Sequence, residues 1–244
     1  IPTNLFPFSQ EKKIKESDQE DSSVIKRNLS IIPQIATKKP FALICIRPFS
    51  GYYSSEKILE ILQWVDTQYE NFGIFLPNQI SKYTYQALGY SESSISTKIR
   101  KQDNYIINKI ESALENFYER SKREKNINLY LINNLMKTKH YNELYEFYSN
   151  LFIKDKDFRQ QCIQMTEKLL QTKTNKLSNK IEESVKNIAA QYLLLELPVI
   201  MHATTILDVE FCDFVYHTIP KFIEHLYNTK DFIPKTQKFL VLSD

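Results

Sequence analysis

Phe41-Ala-Leu-Ile-Cys-Ile46, set between Pro40 and Pro48, is the stretch whose reading decides the fold. Six consecutive apolar residues without alternation describe a strand buried on both faces, the pattern of a parallel sheet covered by helices on either side. Downstream, Ser54 or Ser55 can cap a helix whose inner stripe is Ile58, Ile61, Leu62, Val65 and Tyr69. Gly73-Ile-Phe-Leu76, closed by Pro77, reads as a second short strand. Strand, helix and strand make one βαβ unit, which is nearly always right-handed.

The same alternation continues. A long helix is predicted over 94–122, with Ile95, Ile99, Ile106, Ile110, Leu114 and Phe117 on one face, and a third strand over 127–132. Further helices are predicted over 141–149, 156–171 and 177–197, a strand within 208–217, a helix after Pro220 and a last strand over 239–242. The expectation is an α/β fold: a three-layer Rossmann-like domain over 39–244 with a mainly parallel central sheet flanked by helices. Residues 1–38, polar and without sustained period, read as a leader lying outside that core.

Composition narrows the chemistry. The 244 residues include only three glycines, Gly51, Gly73 and Gly89, far apart. Neither a G-x-G-x-x-G turn nor a Walker A loop can be written with them, so a conventional dinucleotide enzyme or P-loop NTPase is excluded. The charge balance, 32 − 29 = +3, permits nucleic-acid contact without announcing it. Cys45, Cys162 and Cys212 are odd in number and widely spaced, which argues against a disulfide or zinc framework and for a reducing, cytoplasmic setting. No apolar run is read as long enough to span a membrane. The histidines show no paired ligand spacing, so neither a metal nor another cofactor is expected.

In parallel α/β sheets, ligands sit at the carboxyl ends of the strands. The loop Arg47-Pro-Phe-Ser-Gly-Tyr-Tyr-Ser54 is therefore the first place to look for a site.

The segment Ala42-Leu-Ile-Cys-Ile-Arg-Pro-Phe-Ser-Gly-Tyr-Tyr-Ser54, followed by a helix with Gln63-Trp64, resembles the first motif of the cyclodipeptide synthases. Tyr192-Leu-Leu-Leu-Glu-Leu-Pro198 is similar to that family's Tyr-x-x-x-Glu-x-Pro helix, and Val215-Tyr216-His217 follows with Tyr216 twenty-four residues after Tyr192. The colinear resemblance covers about residues 40–230. It implies a relation to the catalytic domains of class I tyrosyl- and tryptophanyl-tRNA synthetases. It also implies a transferase that condenses two aminoacyl groups from aminoacyl-tRNAs into a diketopiperazine, through an acyl-enzyme on a serine.

Tyr192 and Glu196 stand i and i+4 on one helix and so project to one spot. By resemblance Glu196 would hold the substrate ammonium and assist proton transfer, Tyr192 would position the amine, and Tyr216 would hydrogen-bond the reacting acyl group. The resemblance puts Arg47 where the nucleophilic serine belongs, and Cys45 where a glycine two residues earlier belongs. A guanidinium is neither nucleophilic nor able to lose its proton. Ser50, three residues later, could serve by a register shift; Cys45 lies in an apolar strand that disfavours its thiolate. Arg47 itself reads either as an arginine paired with Glu196 or Asp208, or as a binder of carboxylate or phosphate.

Leu43, Cys45, Val199 and Phe214 would line the first aminoacyl pocket and favour hydrophobic amino acids, and His217 would stand beside it. Lys98, Arg100, Lys101 and Lys109 would meet tRNA phosphates, with Arg120, Lys122, Arg123 and Lys125 further along. Three readings follow: a tRNA-dependent cyclodipeptide synthase, a catalytically altered relative or, more remotely, an unrelated nucleotide-binding α/β protein. The relative would bind aminoacyl-tRNA, an amino acid or a protein partner without forming the acyl-enzyme.

Overall fold

The structure, a computed structural model, describes residues 40–48, 50–121, 126–173, 182–229 and 232–242. The expected leader, Lys122, Arg123 and Lys125, and the start of the helix predicted from residue 177 lie outside the described residues.

Five strands, β1 (Phe41–Cys45), β2 (Phe72–Leu76), β3 (Asn128–Leu131), β4 (Cys212–Tyr216) and β5 (Gln237–Val241), form one sheet among the described residues. Its order is β3-β2-β1-β4-β5, and every pairing is parallel. β1 is central because its side chains need cover on both faces, and Ala42 to Ile46 are all buried. Gly73 of β2 is required by a close approach: a Cβ there would lie 2.6 Å from the Tyr130 ring and 3.0 Å from the Asn128 carbonyl oxygen.

The helices are α1 (Ser55–Gln68), α2 (Lys82–Ala87), α3 (Glu92–Arg120), α4 (Ile132–Leu135), α5 (Lys139–Lys154), α6 (Lys156–Lys173), α7 (Glu183–Leu207) and α8 (Lys221–Thr229). Ser54 caps α1, its Oγ accepting the Lys57 N–H at 3.1 Å. α1 packs on α3, while α7 packs on α2, α5 and α6, so the sheet lies between two helical layers. From β1 the chain builds outward through β2 to β3 at one edge, then crosses back to β4 on the other side of β1, and this reversal opens a crevice at the carboxyl ends of β1 and β4.

Two expectations are corrected in α7. The helix does not stop before Pro198; it runs through it to Leu207, with non-helical geometry at His202 (φ −138°, ψ 37°). At that break the Gln237 side chain at the start of β5 steps in. Its amide donates to the Ile200 carbonyl and accepts the Thr204 N–H at 3.2 Å, the two groups that an unbroken ladder would join. Tyr227 Oη adds a second bond to the Ile200 carbonyl, at 2.6 Å. By length and composition α7 also passes for a membrane span, contrary to the sequence reading, with a window of mean hydropathy 1.3. Of that window 78% is buried inside the protein, as befits a core helix.

Candidate active site

The crevice is closed by three elements. Arg47 leaves the end of β1, one residue beyond Ile46, whose N–H still bonds the Phe75 carbonyl at 2.9 Å. Tyr216 ends β4. Tyr192 and Glu196 descend from α7 on one face, and all four side chains are buried.

Their geometry is that of a filled slot. Arg47 grips Glu196 with two donors: Nε to Oε1 at 3.0 Å, and Nη2 to Oε2. Such a fork matches the planar guanidinium to the planar carboxylate. Tyr192 Oη donates to Glu196 Oε1 at 3.2 Å. The guanidinium lies 5.1 Å from the centroid of the Tyr192 ring and 5.9 Å from that of Tyr216, and it hydrogen-bonds the Tyr216 phenol. Both Glu196 oxygens are thus bonded to Arg47, and its carboxylate partner is Glu196 rather than Asp208.

Electrostatics follow from burial. Burial alone disfavours charge on Arg47, but Glu196 and the surrounding tyrosines more than restore it, and the guanidinium stays protonated. Burial pushes the Glu196 carboxyl above the ordinary carboxylate range, with Arg47 and Tyr192 pulling it only part of the way back. Burial likewise raises Tyr192 and Tyr216, which remain neutral phenols, despite the lowering pull of Arg47. The Cys45 thiol is pushed well up by burial and by Glu196, against the lowering pull of Arg47, which disfavours its thiolate.

The remaining space is small. A cleft of ≈ 10 Å³ is lined by Cys45, Arg47, Glu196 and Tyr216 with Ile200, Phe214, Pro220, Ile223 and Phe239, room for about one water. Cys45 and Phe214 therefore line it, whereas Leu43 and Val199 do not. Leu43 lies two residues deeper in β1, and Ile200 rather than Val199 follows Glu196 by four on α7. Ile200, Pro220, Ile223 and Phe239 were not anticipated; α8 and β5 carry no local signal that they approach β1.

Ser50 is buried, and its Oγ accepts the Tyr52 N–H at 3.3 Å within its own loop; it is not among the residues lining the cleft. His217 stands beside the slot: its Nδ1 is 3.1 Å from Tyr53 Oη, and its ring stacks on Tyr52 at 4.5 Å. Tyr53, fully buried, donates to the Cys45 carbonyl at 2.7 Å and so ties the loop to the strand end.

On α3, Arg100 and Lys101 are exposed, and Lys98 sits 5.0 Å from the Tyr90 ring centroid. Lys109 is committed elsewhere. It donates to the Tyr53 carbonyl at 2.9 Å and lies 4.3 Å from the Tyr105 ring centroid, pinning α3 to the site loop.

Comparison with known proteins places this arrangement. The profile of the family described as cyclodipeptide synthase matches residues 32–244. The chain is 29% identical over 194 residues to the cyclo(L-leucyl-L-leucyl) synthase of Staphylococcus haemolyticus, covering 75% of this chain and 78% of that one. A cyclodipeptide synthase structure from Bacillus thermoamylovorans superposes with a TM-score of 0.74 at 24% identity, covering 84% of this chain and 89% of the other. Another, from Candidatus Glomeribacter gigasporarum bound to Phe-tRNAPhe, gives 0.55 at 14% identity, over 85% and 89% of the two chains. Those two structures share the fold. The profile match extends over more than four-fifths of the sequence and takes in the β1 loop, Tyr192, Glu196 and Tyr216: the chain belongs to the cyclodipeptide synthase family.

Proposed function

We propose that this chain is a cyclodipeptide synthase-like protein that engages aminoacyl-tRNA without taking the aminoacyl group onto itself. The observation that carries this reading is the Arg47–Glu196 fork. The carboxylate that would receive a substrate ammonium has both oxygens bonded to a side chain of the protein. The residue standing at the nucleophile's position is itself that side chain. Neither neighbour replaces it, since the Cys45 thiol is held protonated and Ser50 faces its own loop. A leucyl side chain would need many times the ≈ 10 Å³ left in the cleft. Engagement of tRNA is supported by the exposed Arg100 and Lys101 beside Lys98 on α3, and by the relative whose structure was solved with Phe-tRNAPhe.

Intact-mass measurement after incubation with leucyl-tRNA tests the reading, alongside filter binding of the same tRNA. Salt-sensitive binding, an unchanged protein mass and no diketopiperazine are expected. An acyl adduct on Ser50, or a cyclic dipeptide product, overturns the proposal.

A second reading, full cyclodipeptide synthesis from hydrophobic aminoacyl groups, is favoured by the apolar lining of the cleft by Ile200, Phe214, Ile223 and Phe239, and by the leucyl-leucyl product in the names of the relatives. It requires Arg47 to vacate the slot and Ser50 to accept the acyl group. Loss of product in Ser50→Ala is its signature.

A further inference from the structure

A second and far larger cavity, of ≈ 530 Å³, opens at the carboxyl ends of β2 and β3 beneath α3. That volume is in the range of small-molecule sites. Its construction is unlike a packing defect in three respects.

First, Asn133 Oδ1 is buried without a hydrogen-bond partner among the described residues, a standing demand for a donor. The buried Asn78 lies behind it, its Oδ1 3.5 Å from the Asn133 N–H. Second, Asp103 interrupts the inner stripe of α3, where Ile95, Ile99, Ile106 and Ile110 set an apolar repeat. Third, the Asp103 carboxyl accepts the backbone N–H of Gln79. Gln79 is held at φ +64°, in the left-handed region that a non-glycine residue adopts at some cost. Strained backbone holding an acid in an apolar stripe, in a cavity also lined by an unbonded amide oxygen, is the mark of a site rather than of a core.

The rest of the lining defines the ligand. Ile95, Ile99, Ile107 and Leu131 supply apolar walls, the polar atoms of Asn133 and Asp103 present acceptors between them, and at the exposed rim two cations, Lys82 and Arg100, outnumber the single carboxylate of Glu92. A planar group with in-plane donors, linked to an anion, satisfies all three. We propose that this cavity binds one nucleotide. Its base lies between the aliphatic walls with an exocyclic amine on Asn133 Oδ1 and the Asp103 carboxyl, and its phosphate rests on Lys82 and Arg100. The nucleotide comes either free or as an unpaired residue of an RNA. The site is independent of the Arg47–Glu196 slot, which shares none of its lining residues.

Calorimetric titration of the full chain with AMP and UMP, and with single-stranded oligoadenylate and oligouridylate, tests this. The variants are Asn133→Leu, which removes the acceptor, and Ile99→Trp, which fills the cavity from an independent position; thermal melting checks that each folds. The expected result is binding of adenylate at least fivefold tighter than uridylate, weakened at least tenfold by either variant. Binding of AMP identifies a free nucleotide as the ligand; binding of the oligomer alone identifies an RNA residue. Either of those results supports the site. Equal affinity for the two bases, binding unchanged in a folded variant, or no binding of any probe overturns it.

Discussion

Glu196→Leu removes one half of the buried fork and leaves Arg47 charged, because a guanidinium does not shed its proton. The side chains are both 1% exposed, so water does not replace the lost partner. At roughly 4 Å between charges and an effective dielectric near 20, the attraction forgone is about 4 kcal/mol, and breaking a buried pair from one side costs about 3–5 kcal/mol. That is a third or more of the stability of many domains. Arg47→Met is expected to cost less, since Glu196 sits above its ordinary range through burial and relieves itself by taking a proton. The double variant Arg47→Met/Glu196→Leu removes both charges and should return to within about 1 kcal/mol of the parent, or exceed it. Urea unfolding of the four proteins at pH 7.5, with unchanged slope, reads the cycle directly. If Glu196→Leu alone stays within 1 kcal/mol of the parent, or the double variant loses the sum of the two singles, the fork is not the coupled buried pair described here.

Three further outcomes follow from the packing. Gln237→Leu leaves the Thr204 N–H without its side-chain partner, while Tyr227 still serves Ile200; a loss of about 1–3 kcal/mol is expected, with faster hydrogen exchange at the Thr204 amide, and unchanged exchange there would count against the tie. Gly73→Ala drives a methyl group to 2.6 Å from the Tyr130 ring; destabilisation of about 1–3 kcal/mol should be relieved in part by Tyr130→Leu, the Asn128 carbonyl at 3.0 Å remaining, and a melting temperature equal to the parent's would refute the clash. Burial raises the Asp103 carboxyl from 3.8 to about 6, so the folded state binds this proton more tightly than the unfolded one. Its contribution is therefore fully present below pH 3.8 and is lost as pH rises through 6, to the extent of about 1–3 kcal/mol. Asp103→Asn should flatten the stability profile over that window and stabilise the protein at pH 7; a profile with the parent's slope would contradict the assignment.

Much of this was legible in local pattern. β1, α1 and β2 follow from an unbroken apolar run, a serine cap and a short strand closed by proline, all within 40 residues. Tyr192 and Glu196 could be set on one helical face from their spacing alone. What local pattern does not carry is long-range partnership. The choice of Glu196 over Asp208 for Arg47 joins residues 149 apart. The passage of α7 across the break at His202 depends on Gln237 and Tyr227, 37 and 27 residues downstream of Ile200, and beside Pro198 the Leu195 carbonyl is served by Tyr141 Oη, 54 residues upstream; a proline that ends an isolated helix is tolerated where other elements serve the backbone. α2 and α4, six and four residues long, are too short to show a period. The cavity under α3 was invisible for another reason: Asp103 reads as one polar residue among many until the fold turns it inward.

The bridge from Gln237 into the kink of α7 also sets an order of events during synthesis. The helix that carries Tyr192 and Glu196 is translated well before the strand that completes its backbone. Until residue 237 has left the ribosome, the second half of that helix lacks the two bonds that Gln237 makes, and the sheet lacks the edge strand beside β4. Phe239, the part of the cleft wall that β5 supplies, thus arrives from the far end of the chain. A nascent polypeptide halted after α8 would present an open helix and an unpaired strand edge to chaperones and proteases, whatever the state of Arg47.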